Sequence, residues 1–425
     1  MSQIESVSPK VSVIIPVWNP GPSISRCVES LRSQTLEDIE LIFVDDRGTD
    51  GAMDIVRAAA AEDPRIRIIT NAENMGAGAS RNAGIEAARG EYLSFVDADD
   101  YVDAVFLERL YAKAIAGRLD IVKGKISYVK EDGTQVDHPE LNDEIRKGAQ
   151  LGKPLFCLFF YQHQSALYRR SFLLDNAVCY GTSRRSQDVT FLLKACHRAN
   201  RFDFEDIAEY RRCEQNDSLM HDTSPQTLER MLHAFQEQMD YMVENMADEA
   251  DAFRFVKWQV IYNLRLYNYF CKKPECIEAV NRFIIDLRNQ VLRFPQLEKL
   301  KGESFIVRVL CDYGVALSYQ PFKFPWDAHR VGSYVETIQE WIDFVKWHPE
   351  CSNAAEKDLL RLCREAESLC TKENSQMPRS LVRDVKKICR KNKNNMKQKT
   401  IRTVVAKIPL AKPLYHAAKQ MLNNR

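Results

Sequence analysis

The sequence predicts an α/β domain built on a doubly wound, mostly parallel sheet, followed by a mainly helical C-terminal region. Three observations carry this expectation. Short, nearly all-apolar runs recur at 11–17, 40–44, 65–70 and 92–96, stretches of helical periodicity lie between them, and turn residues punctuate the changeovers. Strands apolar on both faces and alternating with helices belong to parallel sheets covered on both sides. Such sheets bind ligands at the carboxyl ends of their strands. The 425 residues exceed what one core usually serves, and the expected division is 1–222, a helical region 223–376 and a basic tail 377–425.

Val11-Ser12-Val13-Ile14-Ile15-Pro16-Val17 is β-branched and closes at Asn19-Pro20-Gly21, which reads as a buried strand and a turn. Ile24, Cys27, Val28 and Leu31 then recur at helical spacing. Glu40-Leu41-Ile42-Phe43-Val44 is a second strand that stops at Asp45-Asp46. Residues 52–61 read as a helix, 65–70 as a third strand, and 78–88 as a helix with small residues on one face. The fourth strand, 92–96, runs straight into Asp97-Ala98-Asp99-Asp100.

Three carboxylates in four residues repel one another unless a cation sits among them. Hard oxygen ligands on a loop suit Mg²⁺ or Mn²⁺. A solvated acidic turn, or the first turn of a helix, would use the same residues without an ion. Pro16 to Asn19, Asp45-Asp46 and Asp97 to Asp100 all fall at carboxyl strand ends, so they are expected to line one crevice.

Several classes are disfavoured. The turn after the first strand is Val17-Trp18-Asn19-Pro20, without the GxGxxG of a dinucleotide site; Gly76-Ala77-Gly78 lies elsewhere, with Arg81 in place of a third glycine. No GxxxxGK[ST] loop exists. Twelve cysteines are scattered from Cys27 to Cys389 with no CxxC pair, which argues against a disulfide framework or structural zinc. With no membrane-length apolar run and no signal-peptide core in 1–9, the expected location is the cytoplasm. What remains is a nucleotide held by a metal at carboxylates.

The motifs together resemble the family 2 glycosyltransferases, enzymes of the Rossmann-like A-type glycosyltransferase fold that use nucleotide sugars. The likeness covers roughly residues 10–220. The opening strand with Pro16, Val17 and Asn19 is similar to the family strand whose end contacts the nucleotide. Val44-Asp45-Asp46-Arg47-Gly48-Thr49-Asp50 is similar to the family's VDDGSTD, and the resemblance implies that Asp45 hydrogen-bonds the base. Asn74-Met75-Gly76 with Ala79-Ser80-Arg81-Asn82-Ala83-Gly84 is the third motif, which implies Arg81 near base and phosphates. Asp97-Ala98-Asp99 matches the family's DxD. By that resemblance Asp97 contacts ribose and metal, and Asp99 coordinates the metal that bridges the diphosphate.

The family also places a general base in an acidic pair at the start of a helix, and Arg185-Ser186-Gln187-Asp188-Val189-Thr190-Phe191 matches it with Asp188. Asp188 as a simple first-turn helix cap is compatible with that role. His163 stands beside aromatics, where a structural role is the commoner one. Two departures stand out: Arg47-Gly48 replaces Gly-Ser, and Gln187 replaces the usual Glu. No QxxRW motif is present, which implies single additions rather than polymer synthesis.

The resemblance thus implies an inverting transferase moving one sugar from a UDP-sugar to a glycan or lipid-linked glycan of a bacterial envelope pathway. A catalytically silent nucleotide-sugar-binding scaffold is the alternative. A nucleotidylyltransferase shares the sheet but normally carries a glycine-rich loop after the first strand.

Residues 225–370 show helical periodicity, as in Leu228, Met231, Leu232 and Phe235, with no catalytic motif; they are expected to shape the acceptor site or to support a homo-oligomer. The tail differs. From Arg379 to Arg425 fourteen Lys/Arg stand against Asp384 alone, a net +13 in a chain of overall charge +1. Basic amphipathic helices there would suit an anionic membrane surface, which makes a peripheral location an expectation. A helix packed on the domain would show the same pattern. No nucleic-acid-binding motif accompanies the charge, so no nucleic-acid partner is expected.

Overall fold

The computed structural model describes residues 8–130, 132–137, 139–152, 154, 162–214, 224–246, 250–270 and 276–303, with scattered helical positions beyond. The chain divides into two compact units, Met1–Tyr319 and Gln320–Arg425. Apart from Arg383, Asp384 and Val385, the basic tail expected to face a membrane lies outside the described residues, as does the aromatic stretch 322–326.

In chain order the elements are β1 (Val11–Val17), α1 (Ser23–Arg32), β2 (Ile39–Asp45), α2 (Ala52–Glu62), β3 (Ile66–Thr70), α3 (Ala77–Ala87), β4 (Tyr92–Phe95), β5 (Tyr101–Val102), α4 (Phe106–Gly117), β6 (Ile121–Val129), β7 (Gln135–Asp137), α5 (Pro139–Gln150), β8 (Ala166–Arg169), α6 (Arg170–Asp175), α7 (Gln187–Arg198) and β9 (Phe202–Cys213). Four helices follow: α8 (Pro225–Asn245), α9 (Ala250–Phe270), α10 (Ile277–Leu292) and α11 (Leu297–Glu303). No helix among the described residues is long and apolar enough to cross a membrane.

The strands form one sheet in the order β3-β2-β1-β4-β8-β6-β9-β5, with β7 on β6. The block β3-β2-β1-β4 is parallel throughout, as its apolar runs predict. Val13, Ile15, Leu41 and Phe43 are fully buried in it, together with Ile24 and Leu31 of α1 and Val56 of α2. Each such side chain contributes about 1.5–3 kcal/mol by leaving water. Helix α3 comes very close to β1 because Gly84 lies directly against Ile14; a Cβ there would overlap its side chain. That contact accounts for the small residues on one face of the helix.

Beyond β4 the sheet changes character. β8 is antiparallel to β4 and to β6, while β9 runs parallel to β6 and antiparallel to β5. The switch from parallel to antiparallel pairing lies beside the carboxyl end of β4, where the acidic loop begins. Helix α8 braces the approach to α7: Glu237 accepts a hydrogen bond from the Thr182 amide at 3.0 Å, and the Ser183 hydroxyl donates to the Arg230 carbonyl at 2.7 Å.

Candidate functional site

The loops at the carboxyl edge hold one another in place. Asp46 is buried and accepts from Asn71 Nδ2 at 2.7 Å and from the amides of Met75 and Gly76, both at 2.8 Å. It therefore acts as an anchor for the 71–76 loop. Asn19, at φ 48°, accepts the Thr49 amide on its Oδ1 at 2.6 Å, and any Cβ on Gly48 would crowd that same oxygen. Asp45 is only 5% exposed; it accepts the Arg47 amide at 2.9 Å and faces Arg57 at 3.8 Å. Pro16 and Val17 pair with Val44 and Asp45, so the first two motifs share one edge, as expected.

At the centre lies the acidic loop. Asp97 is gripped from two sides, by Arg81 Nη2 on Oδ1 at 2.5 Å and by Gln164 Nε2 on Oδ2 at 2.6 Å. Burial works against its charge, but the Arg81 guanidinium prevails and holds this carboxyl well below the usual range. Asp100 is buried and takes the Tyr210 hydroxyl at 2.6 Å and the Cys213 amide at 2.8 Å. The Tyr210 hydroxyl in turn accepts the Asp97 amide at 3.1 Å. Asp99 is different: among the described residues no other side chain or amide donates to its carboxylate. Burial and the neighbouring charge of Asp97 push its pKa up to about 6.

These three carboxylates each place an oxygen within 4.8 Å of the others. An oxygen-only set, with Asp100 buried, Asp97 and Asp99 half-buried and no ion pair to the Asp99 carboxylate among the described residues, fits a hard divalent cation. Asp99 and Asp97 would hold it, and the structure adds Asp100 to the pair the sequence pointed to.

Arg81 is 5% exposed and lies beneath Asp97 with its guanidinium carbon 5.2 Å from the centre of the Tyr180 ring. Its Nε and Nη1 meet no acceptor among the described residues. Tyr180 stacks on Phe191 of α7 at 4.3 Å, which ties that helix to the site. Asp188 lies in the first turn of α7, after Ser186 at φ 55°. Burial raises its pKa, the Arg81 charge opposes this, and Asp97 adds to the rise, so the three groups lie within electrostatic reach of one another. His163 is buried between Phe95 and Tyr180; desolvation and the Arg81 charge hold its imidazole neutral.

Two residues outside the named site candidates, Gln164 and Tyr210, orient the acidic loop from β8's approach and from β9. Tyr210 lies in Glu209-Tyr210-Arg211-Arg212, a stretch that follows the family pattern; Gln164 sits in the polar run Tyr161-Gln162-His163-Gln164, and no pattern marks it.

The acidic loop follows β4, which lies on the other side of β1 from β2 and β3, so it stands at the carboxyl edge where the strand order reverses, the topological switch point at which doubly wound α/β domains bind ligands. Residues 12–175 match the profile of Glycosyl transferase family 2. The chain is 35% identical over 223 residues to an uncharacterized glycosyltransferase, EpsJ, of Bacillus subtilis, matching 50% of this chain and 63% of that one. It is 26% identical over 280 residues to an uncharacterized glycosyltransferase, YibD, of Escherichia coli, covering 63% of this chain and 81% of its relative. A poly(ribitol-phosphate) beta-glucosyltransferase of Bacillus spizizenii is 32% identical over 197 residues, 45% of this chain and 30% of its own length. The fold is shared with S. aureus TarS residues 1–349, solved in complex with UDP-GlcNAc, at a TM-score of 0.51 and 22% identity over 74% of this chain and 94% of that one.

Proposed function

We propose that the chain is an inverting, metal-dependent glycosyltransferase that moves one sugar from a UDP-sugar to a hydroxyl of a glycan or lipid-linked glycan. The observation that carries this reading is the convergence of Asp97, Asp99, Arg81 and Asp188 at one sheet edge. The names of the relatives support the reaction class, and the UDP-GlcNAc bound to a protein of the same fold supports the donor.

Each residue then has a task. Pro16, Val17, Asn19 and Asp45 line the place for the nucleoside, with Asp45 accepting from the base. Asp97, fixed in rotamer by Arg81 and Gln164, faces the ribose and the cation. Asp99, with Asp97, would hold Mn²⁺ or Mg²⁺, which supplies positive charge for the diphosphate that leaves.

Asp188 accepts the proton of the acceptor hydroxyl as that oxygen attacks the anomeric carbon and the sugar–phosphate bond breaks on the far side. In-line attack inverts the anomeric centre. If the Glu that Gln187 replaces normally raises the pKa of the base, its loss would leave Asp188 a weaker base. The structure supplies a compensating cause, since burial raises the carboxyl and strengthens it as a base.

Replacing Asp188 by Asn keeps size and polarity and removes the base. Turnover is expected to fall by about 10²–10⁴-fold while nucleotide binding stays at the wild-type level. Unchanged turnover removes Asp188 from the mechanism. A wild-type protein that binds nucleotide sugar yet turns nothing over points instead to a silent scaffold.

A further inference from the structure

β9 brings two adjacent arginines to the acidic loop, and they have different surroundings. Arg211 is consumed: it pairs with Asp103 at 3.2 Å and with Glu209 at 2.9 Å. The Arg212 side chain makes no ion pair or hydrogen bond among the described residues. Side chains alternate along a strand, so Arg212 shares a face with Tyr210, the residue that reaches Asp100 and the Asp97 amide. On its other side the Cys213 amide is fixed to Asp100 at 2.8 Å. The backbone at Arg212 is therefore tied to the acidic loop both before and after it.

Its guanidinium rests 5.7 Å from the centre of the Tyr128 ring, whose hydroxyl takes Gln162 Nε2 at 2.7 Å. Its charge is felt by Asp97, Asp99 and Asp100. The other nearby arginine, Arg81, is buried beneath Asp97 and committed to it.

On the reading that the donor is a nucleoside-diphosphate sugar, we propose that Arg212 is a binding residue for the diphosphate, set on the β9 side of the acidic loop. A diphosphate carries more negative charge than one divalent cation cancels. The planar guanidinium offers parallel N–H donors at the spacing of phosphate oxygens, and seating it on an aromatic ring pre-orients that fork. The β9 segment thereby joins anchoring of the acidic loop, through Tyr210 and the Cys213 amide, to recognition of the leaving group.

Titration calorimetry on the full chain with Mn²⁺ tests this with UDP, GDP and dTDP and their nucleosides. Wild type is expected to bind one diphosphate more tightly than its nucleoside. Arg212→Gln should weaken that diphosphate by about tenfold or more and leave the nucleoside unchanged, while Arg212→Lys, a point charge without the fork, falls between. Equal diphosphate affinity in wild type and Arg212→Gln overturns the proposal alone. An equal loss for nucleoside and diphosphate also overturns it, because it marks a purely structural residue. Failure of wild type to bind any diphosphate overturns the donor reading itself, and this proposal with it.

Discussion

Arg47 sits at φ 65°, a left-handed conformation that L-residues with a Cβ adopt at a cost of roughly 1–2 kcal/mol. The family resemblance expects glycine at this position, and the conformation explains why. Glycine has moved one place on, to Gly48, where a Cβ would meet the Asn19 amide and side-chain oxygen, each at 2.9 Å. Arg47 is held in its conformation by its own side chain, Nε donating to the Asn71 carbonyl at 2.7 Å. Both Arg47→Gly and Arg47→Ala lose that bond, but only glycine escapes the strain. In urea unfolding the Gly variant should therefore exceed the Ala variant by about 1 kcal/mol; equal stabilities, or a reversal, would refute the strain. At this scale the sequence made Asp97, Asp99, Asp45, Arg81 and Asp188 legible because they lie in ordered motifs. Gln164 was illegible because its role depends on a strand pairing, β4 with β8, that no local pattern announces.

Among the elements, β1 to β4 could be read directly because most of their positions are apolar, the mark of strands covered on both faces. β9 could not, since Phe202–Cys213 alternates burial with charge and reads equally well as an exposed segment. At the amino end of the sheet, away from the site, one carboxylate links the parallel strands. Glu40 of β2 accepts the Ser12 hydroxyl of β1 at 2.6 Å, Arg67 Nη1 of β3 at 2.6 Å and the Arg89 amide at 2.7 Å; the same Ser12 hydroxyl accepts the Gly90 amide at 2.7 Å. Burial would raise the pKa of Glu40, but the donors from Ser12, Arg67 and Arg89 together lower it from its ordinary 4.5. A lowered folded-state pKa means that the carboxylate stabilises fully above 4.5, and that this contribution is lost as the pH falls through the folded value. Glu40→Gln should cost about 2 kcal/mol at pH 7 and progressively less below pH 4.5, with nucleotide affinity unchanged. A stability difference that does not change with pH, measured by denaturant unfolding from pH 7 to pH 3, would contradict this.

For the molecule as a whole, the parallel block and its acidic loop could be read from sequence, while the mixed extension that carries Gln164, Tyr210 and Arg212 appeared only in three dimensions. The two halves of the sheet meet at Asp97, which is held by α3 from one side and by the approach to β8 from the other. Ligand binding at that junction should stabilise the folded state in proportion to occupancy, because an unfolded chain has no such site. The most direct test is the unfolding temperature of the full chain against a panel of nucleotide sugars, each with Mn²⁺ and with EDTA. A rise with one UDP-sugar that requires Mn²⁺ is the predicted result; no rise with any UDP-sugar, or a rise that EDTA leaves intact, would contradict a metal-dependent UDP-sugar site at Asp97 and Asp99.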